Sequence, residues 1–140
     1  MAAESFKLEI LTPGKELVTT EVSEVVLPAH DGECGVLANH EDFVGQMGTG
    51  ALKAVKNGND YWFLVSAGIF QIKNGNLSIL TELGELSDDI DVTKAEEERG
   101  RLQKEFDEAL AFGPEYEELC LELARVKARL DVHRRTQLLN

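Results

Sequence analysis

Near residue 88 the turn-forming residues almost disappear from this chain, and that break limits what it can fold into. Residues 1–88 hold ten of the twelve glycines, the pairs Asn57-Gly58 and Asn74-Gly75, and short alternating apolar runs. Residues 89–140 hold two glycines and two heptad patterns that meet at Phe112-Gly113-Pro114. Asn-Gly pairs supply the positive φ angles of tight hairpin turns, whereas glycine weakens a helix interior. An α+β chain is expected: an antiparallel β-sandwich or flattened barrel over 1–88, then an antiparallel two-helix hairpin over 89–140. The acidic stretch Glu85-Leu86-Ser87-Asp88-Asp89 joins them.

In the first part, Phe6, Leu8 and Ile10 alternate with Lys7 and Glu9, and Thr12-Pro13-Gly14-Lys15 turns the chain. Val22–Leu27 reads as a β-branched strand ended by Pro28. Ala51–Val55 and Tyr61–Val65 flank the first Asn-Gly turn, and Gly68–Lys73 and Asn76–Thr81 flank the second. His30, Asp31, Glu33, His40, Glu41 and Asp42 read as a polar loop. Their spacing lacks the His-x-His pairing and the second cluster that a metal shell needs, so no metal ligand is assigned. Cys34 reads as a small buried thiol, because its acidic surroundings do not favour a thiolate. Trp62 is expected either in the core or against a partner at the sheet surface.

In the second part, Val92, Ala95, Arg99, Leu102, Phe106 and Ala109 follow 3-4 spacing, as do Tyr116, Leu119, Leu123, Val126, Leu130 and His133. Each set is a narrow seam suited to one facing helix. Asp91 is placed to cap the first helix, Gly113 to close it, and Pro114 to open the second. Gly100 and the polar seam residues Arg99 and His133 weaken the pairing, so this hairpin closes without being locked. Lys94, Arg101, Arg125 and Arg129 fall on one flank. Either Glu98, Glu105 and Glu122 neutralise them as surface pairs, or they line an anion cleft.

The formal net charge is −12, −8 before residue 89 and −4 after it, which argues against nonspecific nucleic-acid binding. The sign reverses at the end, where Arg125, Lys127, Arg129, Arg134 and Arg135 face only Asp131. These cations either complement the helix dipole or form a basic tip for an acidic partner. Two distant cysteines without an export pattern point to a reducing compartment, and no apolar run reaches membrane-spanning length.

Four segments, in order, resemble the epsilon chain family of bacterial-type ATP synthases, called delta in mitochondria. They are Phe6-Lys7-Leu8-Glu9-Ile10-Leu11-Thr12-Pro13, Asp31-Gly32-Glu33-Cys34-Gly35-Val36-Leu37, Ser66-Ala67-Gly68-Ile69-Phe70 and Ile90-Asp91-Val92. The resemblance covers nearly the whole chain. It departs at Ala38-Asn39-His40-Glu41-Asp42-Phe43, where the family commonly carries a Pro-Gly-His-Ala-Pro-Leu-like run.

The resemblance implies a sandwich of about ten strands, bound to the gamma shaft and the c-ring, with no chemistry of its own. It implies a rotor subunit of a proton- or sodium-driven ATP synthase, peripheral on the cytoplasmic face of the bacterial inner membrane. Its hairpin would restrain ATP hydrolysis by extending toward the catalytic beta subunit. Arg134, Arg135 and His40 are the partner-facing residues so implied. No cofactor is required; ATP is implied as a regulatory ligand, at positions matching Glu85, Ile90, Asp91, Lys94, Arg101, Arg125 and Arg129. Lys94 replaces the family's arginine, keeping the charge but losing the bidentate fork. The residues alone leave two alternatives: an unrelated adaptor with a partner-binding hairpin, and a metal-dependent β-sandwich enzyme.

Overall fold

The computed structural model describes residues 4–109 and 113–137. Eight strands come first: β1 (Phe6–Thr12), β2 (Lys15–Val22), β3 (Glu24–Ala29), β4 (Gly32–Leu37), β5 (Phe43–Gln46), β6 (Thr49–Lys56), β7 (Asn59–Lys73) and β8 (Asn76–Leu86). A 3-10 turn at Ser87–Asp89 leads to helices α1 (Val92–Glu108) and α2 (Pro114–Gln137).

The strands pair in the order β2-β1-β8-β7-β6-β3-β4, with β5 added on β7. The count is eight rather than about ten because β7 and β8 are long and each serves both layers. The first half of β7 pairs with β6, from Asn59 opposite Lys56 to Ser66 opposite Thr49; its second half pairs with β5. Between the halves, Ala67 and Gly68 take φ of 61° and 119° and interrupt the pairing with β8 at Ala67, without shifting its register or ending the strand. A Cβ on Gly68 would lie 1.9 Å from the Leu80 carbonyl oxygen, so only glycine fits. Sequence periodicity treats such a kinked strand as two.

Three further expectations need correction. The sandwich is not wholly antiparallel: β1 runs parallel to β8, with Leu8 opposite Leu77 and Ile10 opposite Ile79. The run at Val22–Leu27 is split at Ser23 between β2 and β3, and Pro28 lies inside β3, opposite Glu33 of β4. Residues 30–42 are not all loop, since β4 takes Gly32–Leu37. Both Asn-Gly hairpins form as expected, with Asn57 and Gly58 at φ 53° and 77° and Asn74 and Gly75 at 53° and 81°.

The inward faces share one apolar core that includes Phe6, Leu8, Ile10, Val25, Leu27, Leu52, Phe63, Val65, Phe70, Ile72, Leu77 and Ile79. Asp91 caps α1, its side chain accepting from the Lys94 amide at 3.1 Å. Ala95, Leu102, Leu123 and Val126 form the seam between the helices, flanked by Phe106, Leu119 and Leu130. Arg99 is not a seam residue but exposed on α1, where its charge stays hydrated. Helix α1 ends at Glu108 with extended backbone at Ala109, so Gly113 does not close it. Gly113 precedes Pro114 at the start of α2, and Phe112 lies outside the described residues.

Candidate functional site

The functional geometry lies where α2 crosses the outer face of the sheet. Along β7 the side chains alternate, so Phe63 and Val65 enter the sandwich core while Trp62, Leu64 and Ser66 face outward. Leu64 is nevertheless fully buried, packed with Ala128 and Val132 of α2 and bordered by Ala51, Trp62, Leu83 and Ile90. Helix α2 therefore has two buried faces. Leu123 and Val126 meet α1; Ala128 and Val132 meet the sheet.

Polar groups continue this second face in both directions. Arg125 donates its Nε to the Ser66 hydroxyl at 2.7 Å and reaches the exposed Glu82 carboxylate at 3.3 Å. Ser66 is buried, and its hydroxyl also meets Thr49 Oγ1 at 2.8 Å. Arg129 grips Glu85: Nε lies 2.9 and 3.1 Å from the two carboxylate oxygens, and a terminal nitrogen lies 2.8 Å from one of them. Both side chains are about three-quarters shielded from water, at 23% and 22% exposure. Near the end of α2, the Arg135 guanidinium lies over the Trp62 ring, 5.0 Å from its centre.

The residues expected to form an anion site separate into groups. Glu85, Asp91, Lys94 and Arg129 line one cleft of about 320 Å³, together with Asp89, Ala95 and Glu98. Arg101 is absent from it; its side chain pairs with Glu105 at 3.1 Å, one turn along α1. Arg125 is absent as well, held by Ser66 and Glu82. Ile90 packs beside Leu64 instead of lining the cleft. The four cations thus do not line one flank together. The hairpin leans its Arg125–Arg129 side onto the sandwich, and carboxylates outnumber cations in the cleft that remains.

The basic tip is also partly neutralised within the chain. Asp131 accepts from Arg134 at 2.6 Å and from Arg135 at 3.0 Å. Burial pushes the Asp131 carboxyl up, but hydrogen bonds and charge from Arg134 and Arg135 outweigh it and hold the pKa below its usual value. His40 sits half-buried beyond β4, its Nδ1 2.7 Å from the Glu41 carbonyl oxygen. Among the described residues, no group of three His, Cys, Asp or Glu converges on a common point, and no helix is long and apolar enough to cross a membrane.

Sequence reasoning missed Ser66, Glu82 and Trp62 as contacts of the hairpin. A signal existed: Arg125, Ala128, Arg129, Val132 and Arg135 recur at helical offsets of 3, 4, 7 and 10 beside the apolar seam, but arginines at helical spacing look like a solvated face.

Fold and contact face together define a class of protein, a β-sandwich carrying a docked helical arm. Residues 5–86 match the model of the ATP synthase delta/epsilon chain beta-sandwich domain, and the chain belongs to the ATP synthase delta/epsilon chain family. An ATP synthase epsilon chain of Solibacter usitatus is 33% identical over 129 residues, spanning 91% of this chain and 94% of that one. Another, of Pelotomaculum thermopropionicum, is 29% identical over 104 residues, spanning 74% and 78%. Among solved structures, a chain of the Euglena gracilis mitochondrial ATP synthase OSCP/F1/c-ring assembly superposes with a TM-score of 0.67. That match covers 96% of this chain and 81% of the other at 18% identity, a likeness of fold alone.

Proposed function

We propose that this chain is the epsilon-type subunit of an ion-driven ATP synthase. In this reading the sandwich binds the gamma shaft and the c-ring, on the cytoplasmic face of the membrane. The hairpin is a mobile arm that restrains ATP hydrolysis when it leaves the sandwich for the catalytic beta subunit. The chain itself carries no catalytic group in this scheme.

The observation that carries the reading is the part-polar contact between α2 and the sheet. Two apolar side chains, two arginines and one cation–π contact make a surface that can separate without opening the sandwich core. Swinging α2 outward would take Arg135 off Trp62 and present the Arg134–Arg135 tip to an acidic surface. Hydrolysis by the holoenzyme with and without residues 89–140 is the test. Removal should raise the rate while the rotor still assembles. Arg134→Glu with Arg135→Glu should do part of the same. An unchanged rate in both variants excludes the inhibitory role.

ATP is proposed as a weak regulatory ligand of the cleft between α1 and the sandwich. Lys94 and Arg129 would hold phosphates, and Asp91 would contact the base or hold the helix end. Arg101, Arg125 and Ile90 would need to move to join the site. Arg129 would have to exchange Glu85 for phosphate, which lowers the expected affinity. Calorimetry on the full chain checks this, with Lys94→Arg expected to tighten binding. No heat at millimolar ATP would exclude the site.

A further inference from the structure

We propose that docking of the hairpin is maintained by an arginine latch built entirely from this chain, with Ser66 as its buried receptor and Glu85 as its charged one. The proposal rests on the reading of the hairpin as a mobile arm and adds the contacts that set its resting position.

Side-chain chemistry at the two receptors supports it. Ser66 lies on a strand between two paired neighbours and is fully buried, an unusual place for a hydroxyl. Its backbone is already satisfied, since its amide and carbonyl each hydrogen-bond Thr81 Oγ1 at 3.0 Å. The hydroxyl is thus left for Thr49 on one side and Arg125 on the other. An apolar residue here would leave the arriving guanidinium without its inner acceptor and Thr49 without its partner. Glu85, opposite Leu64, accepts from Arg129 Nε, which is shared between its two oxygens, and from a terminal nitrogen at 2.8 Å, a charge-assisted contact.

Ser66 lies two residues beyond Leu64 on β7 and Glu85 faces Leu64 across β8, while the two arginines lie one turn apart on α2. Latch and apolar contact therefore engage in one register only. A helix displaced by a turn would bring at most one of the two arginines to an acceptor and would leave the other partly buried without its partner, which is costly.

Arg129 also lines the cleft, so a phosphate ligand there must compete with Glu85 for the same guanidinium. Docking does not require nucleotide in this scheme, because both arginines already have protein acceptors.

The sole tryptophan, Trp62, lies under the docked helix and reports its position. The experiment uses the full chain without nucleotide, following Trp62 emission and tryptic cleavage within α2. Wild type should show shielded emission and slow cleavage. Ser66→Ala and Glu85→Gln should each move emission to the red and shift the docking equilibrium about tenfold toward release, as loss of one charge-assisted bond implies. Glu82→Gln, at an exposed carboxylate, should change little. The exchange Glu85→Arg with Arg129→Glu should restore docking, which separates loss of the latch from loss of fold.

Unchanged emission and cleavage in Ser66→Ala and Glu85→Gln would overturn the latch. So would a wild-type hairpin that docks only after ATP is added. If the variants release the hairpin but removing residues 89–140 leaves hydrolysis unchanged, the latch stands and the inhibitory role falls.

Discussion

Gly68 and Asp131 show two ways in which one residue sets a local condition. Gly68 lets β7 kink and keep pairing, and the space beside it is filled by the Leu80 carbonyl. Gly68→Ala should destabilise the chain by about 3 kcal/mol or more, since the new methyl must displace backbone at a φ that L residues avoid. Urea unfolding measures that loss. Asp131 ties Arg134 and Arg135 to the last turns of α2. Its folded pKa is lowered, so its stabilising contribution is complete above the unfolded carboxyl value of about 3.9 and fades as pH falls through the depressed value. Carbon NMR should place its midpoint below that of an unstructured Asp. Asp131→Asn should abolish this part of the acid dependence.

At the scale of elements, α2 has the decisive position because it is apolar on two sides. Heptad spacing identified the face toward α1 correctly through Ala95, Leu102, Leu123 and Val126. It did not find the face toward the sheet, where Ala128 and Val132 are separated by charged residues. Each face has its own consequence for substitution. Leu102→Ala should cost about 2–5 kcal/mol of hairpin stability, because it leaves a cavity between the helices. Val132→Ala should instead cost about 2 kcal/mol of docking, from lost methyl burial over Leu64. Differential scanning with Trp62 fluorescence separates the two: Val132→Ala should move the emission change to lower temperature and leave sandwich melting in place.

For the whole molecule, the sandwich core contains no side chain from either helix. Residues 1–88 alone should therefore fold and unfold cooperatively in urea. They should also be less soluble than the full chain, because Ala51, Trp62, Leu64 and Leu83 lose their cover. A disordered circular dichroism spectrum for that fragment would show that the hairpin is needed for the sandwich to fold.

Local features can be read from the residues alone: two Asn-Gly hairpins, the alternation that builds the sandwich, the Asp91 cap and the seam between α1 and α2. Turn chemistry and side-chain period act over a few residues, so they can be read without coordinates. Of the residues proposed for an anion site, Glu85, Asp91, Lys94 and Arg129 share a cleft, whereas Ile90, Arg101 and Arg125 lie outside it, and Glu85 entered through the family resemblance and not through spacing. Tertiary structure decided the rest. The parallel pairing of β1 with β8, the passage of β7 through both layers and the partners of Arg125 and Arg129 all join residues far apart in the chain. A long flexible cation takes whichever acceptor the fold brings within reach, and here Ser66 and Glu85 are presented by the sheet face that the helix covers.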